Sequence, residues 1–566
     1  MVSPISNPNA IFLQGPAGSG KTTEAAATVV RLLQEGTPPE QILVLVSQRS
    51  QARVYQDAAH AAGAAGGAIE VLTYTGLALR AIEAFWPTVA QKAGFVDPAG
   101  EPVFLSIETA QFFMARLANP SIASGEFAGV DLPPPRVISQ TLDNLNRAAM
   151  LGISLEDVAK RLIKAWGEGP SSRPPAYLAS RDLGARFRTY CLDHNLIDYS
   201  LAIELFNKHL LKNRAFMKYF YGRYAHLIVD NVEEMNAAVH DFLKIVIPKL
   251  SSALIVYDSE GGYRFFLGAE PENAYDLTKS CGEIATRDTP YVMSPPIFGL
   301  VNEFQRILAP DFRARGDSTD AYEPGEVRAA FHFAIHSFYP QMVDWAADQV
   351  IKLVHEGGVA PREVAIIAPY LNDSLRFSLT QRLAQAGIAA LSQRPSRPLR
   401  AEPLARALLT LAQIAYPQLT RTLPYSDVAD ALHLSLAGLD PLRARILAGL
   451  GFKHGALLPF ANIPEGSRAR ITFRIGNRYD ALRQWLSDNA DPTLALDFFF
   501  QRLFGEMLSQ PEFGLFGDVE GGRVVAQLIE STRRFRETLY PTLGDDAAVH
   551  HQLRDEYLAL FDAGLL

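Results

Sequence analysis

Cysteine is nearly absent: Cys191 and Cys281 are the two in 566 residues. A pair that far apart is no disulfide framework, and it leaves no cysteine-rich zinc or iron–sulfur site. The pattern fits a reducing compartment, with both thiols read as inert small core residues. Long apolar runs are missing too. No stretch approaches the ~20 residues that cross a bilayer, so no membrane partner is expected. Residues 1–9 lack a basic stretch followed by an apolar core, which argues against a signal peptide and for the cytoplasm. An excess of basic charge is also lacking, since 53 basic residues face 61 acidic ones for a net charge of −8. Whole-chain charge therefore gives no support for a polyanion partner, although a local basic groove can bind nucleic acid on an acidic protein. The twelve histidines form no HExxH or similar ligand spacing. No short-period repeat or low-complexity tract stands out.

What is present is an ordinary folded composition, 48% hydrophobic and 20% charged. The length exceeds one core and suggests roughly three or four domains. Residues 10–14 read as a short apolar strand. Gly15-Pro16-Ala17-Gly18-Ser19-Gly20-Lys21-Thr22 follows, and then a helix from 22 to about 34, stopped by Gly36 and Pro38-Pro39. Residues 41–47, with Ile-Leu-Val-Leu-Val inside, read as a buried parallel strand, and residues 69–73 as another. A Gly-x-x-x-x-Gly-Lys-Thr run between a strand and a helix is a P-loop. Its glycines let backbone N–H groups close around phosphates, and the helix N-terminus adds its dipole. The expected cofactors are ATP and Mg²⁺. Gly15, Pro16, Ala17, Gly18, Ser19, Gly20, Lys21, Thr22 and Thr23 form the cradle, Lys21 reaches the β/γ-phosphates, and Thr22 is a Mg²⁺ ligand.

A second carboxylate ligand is needed at the end of a neighbouring strand. Asp230 closes the apolar run 226–229 and suits that role. The next residue is Asn231, whose amide cannot accept a proton at neutral pH and so is no general base. Glu233 and Glu234 follow closely. They read either as substitute bases or as carboxylates at a helix start, favoured by the dipole. Elsewhere, residues 98–197 are mostly helical with Pro-rich breaks at 133–135 and 171–175. An α/β pattern returns at 226–230 and 253–258. Residues 313–325 look like a linker. A second α/β unit is expected from 327–335, a helix at 339–356 and a strand at 364–367. From about 425 the pattern is helical.

The order of these segments resembles the UvrD/Rep-type superfamily 1A DNA helicases. The P-loop is the first landmark. Leu43-Val44-Leu45-Val46-Ser47-Gln48 is similar to the strand and loop that touch single-stranded DNA, and Leu72-Thr73-Tyr74-Thr75-Gly76-Leu77 to the Thr-Phe-His-Ser segment. Ile197-Asp198-Tyr199-Ser200-Leu201 resembles the landmark closing the helical insertion. Leu227 to Asn236 is similar to the Val-Asp-Glu-Phe-Gln-Asp-Thr-Asn motif. Val256 to Ala269 matches Gly-Asp-x-x-Gln-x-Ile-Tyr-x-Phe-Arg-Gly-Ala in frame. The resemblance implies an α/β fold of P-loop NTPase RecA-like domains with large helical insertions. It divides the chain into a first motor domain at 1–97 and 198–315, a helical insertion at 98–197, a partial second motor domain at 316–424 and a helical domain at 425–566. It implies catalytic roles for Asp230, Glu233 and Glu234, Mg²⁺ ligation by Thr22 and Asp230, and DNA contacts at Arg49, Tyr74, Tyr263 and Phe266. Stacking on such aromatics is worth about 1–3 kcal/mol per base. Phe265 and Phe266 read equally as core, because adjacent residues cannot all face one groove.

The departures from that pattern are systematic. Asn231 replaces the catalytic Glu, Gly261 the Gln that senses the γ-phosphate, and Met293 a phosphate-contacting Arg. Arg264 and Leu267 stand where Tyr and Arg are expected, and motifs V and VI are not found. Losing an arginine finger alone costs about 10³–10⁵ in rate. Three functions stay open. The first is an ATP-binding protein that also binds single-stranded or partly duplex DNA, with hydrolysis degraded or completed by a second polypeptide carrying the missing motifs. The second is an active ATP-dependent helicase or translocase of DNA repair or recombination. The third is an inactive helicase-like subunit of an AddB-type recombination nuclease complex.

Overall fold

The computed structural model describes residues 6–63, 69–167, 173–288, 292–308, 330–391, 399–416, 423–543 and 549–562. In chain order its first strands are β1 (Asn7–Gly15), β2 (Ile42–Val46), β3 (Glu70–Leu72), β4 (Val103–Phe104), β5 (Leu196–Ile197), β6 (His226–Asp230), β7 (Ser252–Asp258) and β8 (Cys281–Thr286). Six of them form one sheet in the order β3-β2-β6-β7-β1-β8, and every pairing is parallel. Both faces of β2 are buried, as its unbroken Ile-Leu-Val-Leu-Val run requires of a strand covered on both sides. Helix α1 (Lys21–Gln34) lays Ala25, Val29 and Leu32 against Leu13, Val44 and Val256 on one face of the sheet. Their spacing of four and three is the helical stripe. In an all-parallel sheet the segments after each strand emerge at one edge, where ligands bind.

Between β3 and β6 the chain leaves the sheet. Helices Ile107–Ala123, Pro134–Leu151, Leu155–Trp166 and Arg173–Asp193 lie between β4 and β5. The triple proline at 133–135 starts a helix rather than breaking one, because Pro134 sits in its first turn, where a missing N–H costs nothing. Asp198 caps the helix Tyr199–Leu205 through the N–H groups of Ser200 and Leu201 and is paired to Arg188 at 2.9 Å. That landmark is therefore a structural cap.

The helices from residue 399 onward pack into the same compact unit as residues 1–291. One continuous core runs from the sheet through the insertion to these helices. Phe112 of the insertion meets Phe535 edge-on at 5.3 Å, and Phe535 meets Tyr557 at 5.4 Å.

Residues 292–397 form a separate unit. Its described residues include the helices Pro295–Leu308, Tyr339–His355 and Asp373–Gln385, the last two packed on Val343, Ala347, Val350, Leu375, Leu379 and Leu383. The strand expected at 364–367 does not form, and no strand is found among the described residues of this unit. Ile367 is 92% exposed. An apolar run becomes a strand only when a neighbouring strand takes its N–H and C=O groups, and none does so among the described residues. Residues 327–329 and the expected linker at 313–325 lie outside the described residues.

Candidate nucleotide site

The glycine-rich residues 16–20 join β1 to α1 at the carboxyl edge of the sheet. Gly20 takes φ +80° as it enters the helix, a left-handed conformation that glycine adopts without steric cost. Gly15 is needed for a different reason: a Cβ there would lie 2.3 Å from the Arg287 carbonyl oxygen and 2.8 Å from Ser19 Oγ. Lys21 is buried inside the loop. Its ammonium donates to the Pro16 carbonyl and stands 3.3 Å from Asp258 Oδ2, at the end of β7. Ser19 Oγ also donates to the Pro16 carbonyl, at 2.8 Å. Thr22 Oγ1 lies 3.2 and 3.3 Å from the two oxygens of Asp230 at the end of β6. A hydroxyl and a carboxylate converging in this way form the hard-oxygen donor set that suits Mg²⁺.

Four carboxylates crowd this edge. Burial pushes Asp230 above the usual carboxylate range, against the pull of its hydrogen bonds. Tyr55, wholly buried beneath it, has its phenol held protonated by burial and by Asp230's charge. Glu233 is 0% exposed. Its Oε2 accepts the Asp258 N–H at 2.9 Å, and its Oε1 accepts Asn231 Nδ2 at 3.3 Å. Burial raises its carboxyl to about 8, with Asp258 and Glu234 adding repulsion. Glu234 Oε1 accepts the Gly262 N–H at 2.9 Å. Asn231 adopts φ 55°, ψ 54°, a left-handed position that Asn tolerates better than most residues.

These contacts decide between the two readings of Glu233 and Glu234. Neither is a solvated helix start. Both turn inward and fasten the loop that follows β7. A Cβ at Gly261 would meet Glu233 Cγ and Oε1, each at 2.9 Å, so the Glu233 side chain fills the space a larger residue at 261 would need.

That loop presents Tyr263, Phe265 and Phe266 to solvent at 77%, 66% and 74% exposure. The core reading of Phe265 and Phe266 is thereby excluded. Tyr74 is the opposite case. It is 6% exposed, its ring lies 5.5 Å from Phe206 and from Phe242, and its hydroxyl bonds Asn207. A side chain packed on two core rings has no face left for a base, so the DNA contact expected of Tyr74 is replaced by a packing role. Arg49 is exposed in the turn after β2, at the same sheet edge as the P-loop. Asp258 was not singled out by sequence reasoning, although it ends an apolar strand just as Asp230 does. Both cysteines are buried and free.

No family model matches the chain. It is similar to the ATP-dependent DNA helicase UvrD2 of Mycobacterium tuberculosis and of Mycobacterium bovis, at 24% identity over 494 residues in each case. The match covers 85% of this chain and 62% of each relative. The chain thus spans less than two thirds of the length of the curated relatives it matches. The similarity supports a UvrD-like helicase relationship, in keeping with the central parallel sheet and its many helices. No helix among the described residues is long and apolar enough to cross a membrane.

Proposed function

We propose that this chain binds ATP and Mg²⁺ at residues 15–23 and Asp230, holds DNA against the loop after β7, and hydrolyses ATP slowly on its own. The observation that carries the reading is the unequal state of the two halves of the site. On the binding side, Lys21, Thr22, Asp230 and Asp258 are gathered within hydrogen-bond reach. On the hydrolytic side, Asn231 cannot take a proton. Three of the four oxygens of Glu233 and Glu234 are engaged, by Asp258 N–H, Asn231 and Gly262 N–H, and the fourth, Glu234 Oε2, is buried without a partner among the described residues. A general base must first be in reach of the attacking water, and only then does its pKa matter.

In this reading Thr22 and Asp230 hold the Mg²⁺, which when bound neutralises charge on the phosphates. Lys21 leaves Asp258 for the phosphates. Tyr263 and Phe266 offer stacking faces to unpaired bases, and Arg49 offers charge to the backbone. The similar mycobacterial proteins are ATP-dependent DNA helicases, which supports the partner class. Equilibrium binding of ATP and of a single-stranded oligonucleotide, with Lys21→Ala as control, tests the reading. Loss of neither ligand's site on substitution of Lys21 and Tyr263 would remove it.

A second reading has its own support. The unit at 292–397 leaves Phe333, Ile335 and Ile367 exposed on segments of strand-like composition. A second polypeptide that supplies strands would cover them and bring the missing motor motifs, making the assembly an active helicase. Faster ATP turnover after such a polypeptide is added would favour it.

A further inference from the structure

We propose that the C-terminal helices hold one small monovalent anion of the halide class, bound by Arg554 in a cavity that it shares with His550.

Arg554 is a buried charge without a counter-charge. It lies on the helix Val549–Asp562 and is 1% exposed. Burial disfavours its charge, yet a guanidinium stays protonated near neutral pH and can only donate hydrogen bonds. Its Nη2 donates to the Pro492 and Leu494 carbonyls at 2.5 and 2.7 Å, with the Asp491 carbonyl at 3.4 Å. Nε and Nη1 are buried and meet no acceptor among the described residues. The carboxylates around it are committed elsewhere. Asp497 takes both Nε and Nη2 of Arg536, at 3.1 and 2.8 Å. Asp491 Oδ1 accepts the N–H and the hydroxyl of Thr493. Asp555 lies 3.2 Å from His551.

Two neighbours repeat the pattern. Tyr416 lays its ring on the guanidinium at 4.0 Å, and its buried hydroxyl has no partner among the described residues. His550 sits one turn before Arg554 on the same helix face, with a buried Nδ1 that is likewise unpartnered. Arg554 and His550 line a cavity of about 10 Å³ together with Arg536, Phe535, Leu553 and Tyr557.

That volume takes one water-sized species, and it is too small for sulfate or phosphate. A water would give Arg554 an acceptor but leave its charge uncompensated, and a buried charge is costly unless paired. A monatomic anion supplies the acceptor and the charge together. The apolar part of the wall cannot replace a hydration shell, which favours chloride or bromide over the more strongly hydrated fluoride. The ion ties the segment 491–494 and Tyr416 to the last helix. Phe535, in the same wall, packs on Phe112 of the 107–123 helix, so the ion supports that junction as well.

The test melts the full chain at constant ionic strength and constant sodium while gluconate, too large for the cavity, is replaced stepwise by chloride or by fluoride. Chloride NMR line width is followed in parallel. Chloride is expected to raise the melting temperature and to saturate, as a bound ligand does, with little effect of fluoride. Arg554→Met should weaken chloride binding more than tenfold, read from the line width. If the three anions act alike, or the chloride effect grows without saturating, the cavity holds water and the proposal is overturned. An Arg554→Met chain that broadens the chloride line as the parent does also overturns it. Should Arg554→Met fail to fold, crystals of the parent grown in bromide decide. An anomalous peak beside Arg554 Nη1 supports the site, and no peak there overturns it.

Discussion

Lys21 Nζ stands 3.3 Å from Asp258 Oδ2, and the same Asp258 gives its backbone N–H to Glu233. The P-loop lysine is thus anchored to a strand whose end is itself tied to a buried carboxylate. A phosphate entering the loop competes with Asp258 for that lysine. Lys21→Ala removes a charge-assisted contact to the phosphates, and nucleotide affinity is expected to fall roughly 10–100-fold. Titration with a fluorescent ATP analogue checks this.

Glu233 makes stability depend on pH. Its carboxyl has an ordinary value of 4.5 and sits near 8 in the folded chain, because burial disfavours the charge. Between those values the unfolded chain has released a proton that the folded chain keeps, so stability falls as pH rises through the window. Glu233→Gln keeps the shape and removes this dependence. The variant is expected to melt higher than the parent at pH 8 by a few degrees, corresponding to roughly 1 kcal/mol or more. Near pH 5 the two should converge. Thermal melts of both proteins across that range give the answer, and a gap that widens toward acid would contradict the assignment.

The strands β1, β2 and β6 and the helix α1 are legible in the residues, and the reasons are local. A P-loop declares itself by glycine spacing between an apolar strand and a helix, and β2 and β6 by unbroken apolar runs. Three features were hidden. β8 is an edge strand with mostly exposed side chains, so it lacks the apolar signal of its neighbours. Residues 364–367 have that signal, but a strand also needs a partner, and periodicity does not report one. Tyr74 and Tyr263 are the same residue type in matching motifs, yet one packs on Phe206 and Phe242 and the other faces solvent. Composition does not say which way a ring points.

Gly261 and Glu233 should behave as a coupled pair. Gly261→Ala places a methyl 2.9 Å from Glu233 Cγ, and overpacking of this kind costs about 1–3 kcal/mol. In a Glu233→Ala background only the 3.1 Å approach to Asp258 Cβ remains, and most of that cost should vanish. A double-mutant cycle on denaturation midpoints measures the coupling. Strict additivity would mean that Glu233 moves aside freely.

The exposed rings separate DNA contact from folding. Tyr263→Ala and Phe266→Ala should each weaken binding to a single-stranded oligonucleotide by about 1–3 kcal/mol with little change in melting temperature. Tyr74→Ala should do the reverse, costing about 3–5 kcal/mol of stability by emptying a packed aromatic site. Tyr74→Phe keeps the packing, loses only the bond to Asn207, and should leave DNA affinity intact. Fluorescence anisotropy with parallel thermal melts distinguishes the two classes.

The site is expected to bind nucleotide better than it hydrolyses it. The most direct measurement is ATP turnover by the purified chain with saturating single-stranded DNA, run beside Lys21→Ala. The expected result is measurable ATP binding with turnover well below ~1 s⁻¹, the lower end of ordinary enzyme rates. DNA-stimulated turnover above that rate, abolished by Lys21→Ala, would contradict the claim and mark the chain as a working motor.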